Sequence, residues 1–175
     1  MAEYIQVPGK HNIYVAVPSA YSVMLKLGES FDETSIQLET IFHDVHGDRY
    51  GGPQGPPIEK QWLGLMGRAQ LRLSRWDPDV TALLERFGGL LTTPGTVPDA
   101  AAGALMLRDR SFRFYFQAIR DNARSRNFPC CLASNLTLVA GGTKFAMYTF
   151  DLEIHRAPEG HAAAGIIYNA DATGL

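Results

Sequence analysis

The chain has 175 residues, 46% hydrophobic and 19% charged, which fits one folded domain with a real core and excludes an intrinsically disordered chain. A formal net charge of −2 supplies no global field for a nucleic-acid or membrane partner. No run reaches the roughly 18 apolar residues of a membrane span, and Met1–Lys10 has no apolar signal core. The expected protein is soluble, with no membrane insertion, and is made in the cytoplasm.

The charge is unevenly spread. Residues 1–60 hold four Lys/Arg and eight Asp/Glu, a net −4, whereas residues 104–126 hold six Arg and two Asp, a net +4. Such halves can meet across subunits or within one. Cys130 and Cys131 are adjacent, a spacing that strains a mutual disulfide and in a strand sends the two thiols to opposite faces. They are expected to be a reduced, apolar pair.

In chain order, Asn12–Val17 and Tyr21–Leu27 read as short strands around Pro18-Ser19. Thr34–His43 alternates Ile36 and Leu38 against Gln37 and Glu39. Lys60–Trp76 is one long extended segment, in which Ala69, Leu71 and Leu73 alternate with Arg68, Gln70, Arg72 and Ser74. Gly64 and Gly67 predict a bulge or bend within it. A helix is predicted over about 78–87. Asp77 is its N-cap, Pro78 its first residue and Asp79 sits at the positive end of its dipole, while Val80, Leu83, Leu84 and Phe87 form one apolar stripe and Gly88-Gly89 the stop.

Leu90–Gly103 reads as a connection. Ser111–Arg120 resumes strand, with Phe112, Phe114 and Phe116 on one face and Arg113, Tyr115 and Gln117 on the other. Cys130–Ala140 and Lys144–Arg156 form a hairpin about Gly141-Gly142-Thr143. The tail from Ala157 is small and polar apart from Ile166-Ile167-Tyr168. There is no internal repeat and no dividing linker, so residues 1–175 are read as a single mainly β domain: a β-sandwich or open barrel with one flanking helix.

The segment 44–58 interrupts this pattern. Asp44–Pro57 carries four Gly and three Pro in fourteen residues, too many for strand or helix. Long loops without structure of their own are often functional. His43, His46 and Asp48 are of metal-ligand type, the basis of an alternative reading as a small metal-dependent enzyme, but no second ligand pair with zinc spacing accompanies them. Gly51-Gly52-Pro53 is not a phosphate-binding loop. The favoured reading is an arm to a neighbouring subunit. Its candidate contacts are Asp44, Val45, His46, Asp48, Arg49, Tyr50, Gln54 and Ile58, with Val45, Tyr50 and Ile58 as apolar anchors.

Catalysis finds little support. No Ser sits in a nucleophile elbow, the five His have no partner that sequence identifies, and Asp151 and Glu153 alternate with an apolar face. No catalytic residue, metal site or cofactor is assigned. Asn135-Leu136-Thr137 matches a glycosylation sequon, which carries no meaning without a secretory signal. The arginines at 108, 110, 113, 120, 124 and 126 are interleaved with aromatics, but the Phe residues belong to a core face and acids sit among the arginines. Roles in salt bridges between subunits suit them better than nucleic-acid recognition.

Taken in order, Ile41-Phe42-His43-Asp44-Val45-His46, a Gly/Pro loop around Tyr50-Gly51-Gly52, Trp76-Asp77-Pro78-Asp79-Val80, Arg126-Asn127-Phe128-Pro129-Cys130, the Gly141-Gly142-Thr143-Lys144 hairpin and a last strand bearing Asp and Glu resemble the tail tube proteins of tailed bacteriophages, especially contractile-tailed ones. The resemblance spans about Ile36 to Tyr168 and rests on order and texture rather than on a short motif. It implies a virion structural protein whose sheets join into homohexameric rings that stack into a tube for phage DNA. The implied partners are further copies of the chain and the tail sheath, baseplate and tape measure proteins. A tail completion, baseplate hub or head decoration protein on the same fold is the alternative. The candidate lumen or inter-subunit face is Ser35, Gln37 and Glu39 with Arg68, Gln70 and Arg72. Lumens of this family are expected to be acidic or neutral, and the two arginines depart from that.

Overall fold

A computed structural model of the chain describes residues 3–17, 22–46, 57, 59–87, 110–120, 122–139, 147–161 and 163–169. The strands are β1 (Glu3–Val7), β2 (His11–Ala16), β3 (Leu25–Ser30), β4 (Thr34–Val45), β5 (Glu59–Trp76), β6 (Phe112–Ala118), β7 (Arg126–Val139) and β8 (Met147–His155). A single α-helix among the described residues, α1 (Pro78–Phe87), follows β5. All strand pairs are antiparallel, in the order β1-β4-β5-β3-β2-β6-β7-β8, with a further β5–β8 pairing. That last pairing closes β5, β3, β2, β6, β7 and β8 into a barrel and leaves β4 and β1 as an extension of the sheet beside β5.

The barrel is built around a bent hairpin. β1 pairs with the start of β4 (Val7↔Thr34) and β2 with β3 (Asn12↔Glu29), so one register carries through the turns at Pro8–Lys10 and Phe31–Glu33. Gly9 takes the left-handed conformation needed at the first turn, at φ 62°. His11 fastens this corner. Its backbone N–H donates to Ser30 Oγ (2.9 Å), its Nδ1 lies 3.0 Å from Gly9 O, and its Nε2 lies 3.2 Å from Thr34 Oγ1. A carbonyl only accepts, so Nδ1 carries the proton and Nε2 accepts from the Thr34 hydroxyl. The ring is fully buried, and burial holds its pKa below the ordinary value, partly offset by the Gly9 hydrogen bond and by Asp32.

β5 is shared. One edge pairs with β4 over Glu59–Arg68 and with β3 over Leu73–Trp76, while the other pairs with β8 over Met66–Leu73. Two glycines permit this crowding. A Cβ on Gly67 would lie 2.8 Å from Leu38 Cδ2 and 3.0 Å from Ile154 Cβ, and one on Gly28 would strike the Arg75 carbonyl oxygen. The interior is aromatic. Phe112, Phe114, Phe116, Phe128 and Phe150 are fully buried with Leu27, Ile36, Leu38, Leu71 and Leu73. The Phe116–Phe128 and Phe114–Phe150 ring pairs stand 5.6 and 6.1 Å apart. Burial of each such side chain stabilises the fold by roughly 1.5–3 kcal/mol.

Helix α1 packs beside β3 with Val80 and Leu84 buried in the core, and it keeps the predicted bounds. Asp77 Oδ1 accepts from the backbone N–H of Asp79 (2.9 Å), as an N-cap should. β7 is irregular twice. Its pairing with β6 slips between Phe112 and Phe114 opposite Pro129, which has no N–H to offer a ladder. Its pairing with β8 slips between Ser134 and Thr137, where Asn135 sits at φ 54°.

Several sequence expectations shift. Strand β1 was not foreseen, because five residues give too short an alternation to stand out from a terminus. β3 occupies Leu25–Ser30 rather than Tyr21–Leu27, since its ladder partner, Leu73–Trp76 of β5, holds Gly28 through Ser30. Asp44 and Val45, read as the start of a loop, continue β4 in register with Lys60 and Glu59. Arg113 was placed on an outward face and is only 4% exposed, with Nε donating to buried Asn127 Oδ1 at 3.1 Å. Asn127 is held by two backbone hydrogen bonds to Asn169, which set the returning tail along the edge of β7, and the tail's Ala157 and Ala163 pack on Cys130 of the same strand. Arg113 is therefore not available for a bridge between subunits. The cysteines are free and divide as expected, Cys131 into the main core and Cys130 into a small cluster with Ala157 and Ala163.

Candidate assembly interface

Strand alternation sorts the polar residues of β4, β5, β8 and β7 onto one outer face. Gln37 stands opposite Arg68, and Arg68 opposite Glu153; Gln70 stands opposite Asp151, and Asp151 opposite Ser134. The two stretches singled out in the sequence, Gln37 with Glu39 and Arg68 with Gln70 and Arg72, thus lie side by side, joined by Asp151 and Glu153. Gln37 Nε2 donates to Glu39 Oε1 (2.7 Å), Arg72 Nη2 to Gln70 Oε1 (3.1 Å), and Asn135 Nδ2 to Asp151 Oδ2 (2.8 Å). The three carboxylates and two arginines of this face leave it near neutral, with a net −1. Between them runs an open, polar trough of about 510 Å³ floored by Ala69 and Leu152.

This five-stranded layer, β1-β4-β5-β8-β7, ends on both sides in strand edges that have no partner among the described residues. On one side is the outer edge of β1. On the other is the second half of β7, because β6 pairs only with residues up to Cys131. Unpaired edges of this kind invite a further strand.

Beyond Met66, β8 ends and no described residue of β1 pairs with β4, so among the described residues β4 and β5 run on as a two-stranded arm. The register slips between Ile41 and Phe42, with Leu63 the extra residue on β5. Phe42 stands opposite Trp62, and both are about half exposed, 49% and 52%. Ile41 and Leu63 are exposed as well. A cleft of about 230 Å³ at the root of the arm is lined by Ile41, Trp62, Leu63, Leu65, Met66 and His155. An isolated two-stranded ribbon is marginal in water, and a contiguous exposed apolar patch marks an interaction site. The sequence placed the arm's contacts later. Of those residues, Asp44 and Val45 lie on β4 and His46 directly follows it, whereas Asp48, Arg49, Tyr50, Gln54 and Ile58 lie outside the described residues. Ile41, Phe42, Trp62 and Leu63 were passed over as strand interior. The signal available was the pair of adjacent apolar residues in each strand, which no single buried face can accommodate.

His43 and Asp44 are consecutive on β4 and so face opposite sides, with Asp44 Oδ1 3.7 Å from Lys60 Nζ. Among the described residues no three His, Cys, Asp or Glu side chains gather as a metal site. One cluster of nucleophile type does form, and sequence spacing concealed it. Ser111 Oγ lies 3.4 Å from His161 Nε2 and hydrogen-bonds the Cys130 thiol. His161 Nδ1 accepts from the Ala163 backbone N–H (3.1 Å), which puts the neutral ring's proton on Nε2, donating toward Ser111. A general base has to accept from its nucleophile, so this geometry fastens the tail rather than activating Ser111. Burial lowers the His161 pKa and raises that of Cys130, the latter partly offset by Ser111.

No protein-family model matches the chain, and no curated protein matches it. Among solved structures, the chain is similar to a component of the virion of a native gene transfer agent particle, at 13% identity and a TM-score of 0.42, covering 82% of this chain and 88% of that one. It is similar also to a component of the tail of an empty gene transfer agent particle with C6 symmetry, at 14% identity and a TM-score of 0.42, covering 82% and 89%.

Proposed function

We propose that the chain is the tube subunit of a phage-type virion tail, a structural protein that performs no catalysis. Copies join edge to edge into homohexameric rings, the rings stack, and viral DNA passes through the lumen. The observation that carries this reading is the polar five-stranded face bounded on both sides by strand edges that have no partner among the described residues. Pairing β1 of one copy with the second half of β7 of the next removes both edges at once. It is a head-to-tail contact, which repeats around a ring until it closes.

In such a ring the outer polar face forms one continuous wall. Gln37, Glu39, Arg68, Gln70 and Arg72 line the lumen together with Asp151 and Glu153. The two arginines sit beside carboxylates and amides, so the wall offers DNA little net attraction and lets it slide. The sheath, baseplate and tape measure proteins are the further partners this role requires, and the virion tail is the location.

Electron microscopy and light scattering of the purified protein test the reading. Rings or tubes are expected. A protein that stays strictly monomeric at high concentration sinks it.

A further inference from the structure

The two turns at the His11 corner are held differently. The β3–β4 turn is anchored to the barrel wall, with the Phe31 backbone N–H donating to Arg72 O of β5 at 2.8 Å. The β1–β2 turn is tied through the His11 imidazole, whose Nδ1 donates to Gly9 O and whose Nε2 accepts from the Thr34 hydroxyl on β4. Gly9 stands at φ 62°, and nothing lies within 4 Å of the place a side chain there would fill. Beside it, Pro8–Lys10 and Ala118–Arg120 line an open cleft of about 510 Å³. β1 runs for five residues and, among the described residues, pairs with β4 alone. The ladders of β2 to β3 and β6, and of β4 to β5, do not pass through the ring.

A proton on Nε2 upsets this arrangement. The imidazolium donates from both nitrogens, so the Thr34 hydroxyl has to turn its own proton away. The charge then sits in a site with no solvent exposure, edge-on to Phe116 of β6 at 5.8 Å, which disfavours it. Asp32, in the exposed β3–β4 turn with Glu33, favours the charged ring. Lys10 and Arg120 line the cleft and carry the ring's own sign. We infer that protonation of His11 swings the β1–β2 turn outward about Gly9 and frees β1 from β4, while the other strands stay folded. The inference rests on the tube reading for its consequence: β1 is one of the two edges through which copies join, so acid opens the ring.

Hydrogen–deuterium exchange tests the release, on protein diluted until light scattering shows no assembly. After correction for the intrinsic pH dependence of exchange, protection of the β1 amides is expected to fall below about pH 6.5, by up to about tenfold per pH unit. The amides of β8, Met147–His155, are expected to keep theirs. His11→Gln is expected to flatten the β1 profile. Asp32→Asn removes the carboxylate that favours the charged ring, so its fall in protection should continue to lower pH, and it serves where His11→Gln does not fold. β1 protection that is flat with pH in the wild type, or that falls together with that of β8, overturns the inference and leaves the tube reading intact.

Electron microscopy tests the consequence. Wild-type rings formed at neutral pH are expected to open over the same pH range in which β1 loses protection, and rings of His11→Gln to persist there. Wild-type rings that persist while β1 exchanges freely overturn the link to assembly. A protein that forms no rings at any pH sinks the tube reading, and the exchange profile then decides the release of β1 by itself.

Discussion

Asn135 donates from Nδ2 to Asp151 Oδ2 at 2.8 Å across the β7–β8 pair, from a backbone held at φ 54°. The bulge there leaves one extra residue on β7, and a residue at positive φ absorbs it. Asn tolerates this conformation because its short amide bonds locally, whereas a β-branched residue does not. Asn135→Val is expected to destabilise the fold by about 1–3 kcal/mol and Asn135→Gly by under about 1 kcal/mol, measured by urea unfolding. Equal losses for the two would remove the backbone explanation.

The two crowded glycines should differ in cost. At Gly67 the nearest atom is the movable end of Leu38, and at Gly28 it is the backbone carbonyl of Arg75, which cannot yield without breaking the β3–β5 ladder. Gly67→Ala is expected to cost about 1–3 kcal/mol by overpacking. Gly28→Ala should cost more and lower the melting temperature further in the same assay.

These contrasts show what was legible beforehand. The alternation of Ala69, Leu71 and Leu73 with Arg68, Gln70 and Arg72 located β5 and its polar face, since a strand buried on one side imposes a period of two. Asp77-Pro78 located the helix, since caps are local chemistry. Gly28 in β3 and the buried Arg113 were not legible, because each depends on what another strand places beside it. The arm was misplaced for a related reason. Phe42 and Trp62 look like core in sequence, and only the ends of β1 and β8 show that nothing among the described residues extends the sheet over them.

His11 should make stability depend on pH. Its folded pKa lies below the ordinary value, chiefly through burial, so the unfolded chain takes up a proton before the folded one does. Its contribution is fully present above the unfolded value of about 6.5 and is lost as pH falls from there through the folded value. Over that window the slope it adds is at most about 1.4 kcal/mol per pH unit. His161 titrates in the same direction with a smaller buried fraction, so the two are separated by substitution. His11→Gln should flatten unfolding free energy against pH as pH falls below about 6.5, and a profile that keeps its full slope would contradict the assignment.

The N-cap offers a local control. Asp77→Ala removes the acceptor for the Asp79 and Val80 amides and should cost about 1 kcal/mol. The change lies on α1, away from both strand edges and the arm. Assembly measured by light scattering should therefore be unchanged at temperatures well below the melt.

The arm predicts the reverse separation. Phe42 and Trp62 are half exposed in the single subunit, so replacing them with polar residues removes little of the burial that holds its fold. Phe42→Ser/Trp62→Ser is expected to shift unfolding free energy by no more than about 1 kcal/mol, the range of substitutions away from the core. The same change deletes the apolar surface offered to a neighbouring copy, so light scattering at a fixed subunit concentration should fall several-fold. If the double variant instead unfolds early, the two rings pack within their own subunit and the arm is part of its core. If it assembles as the wild type does, the exposed pair has no role between copies.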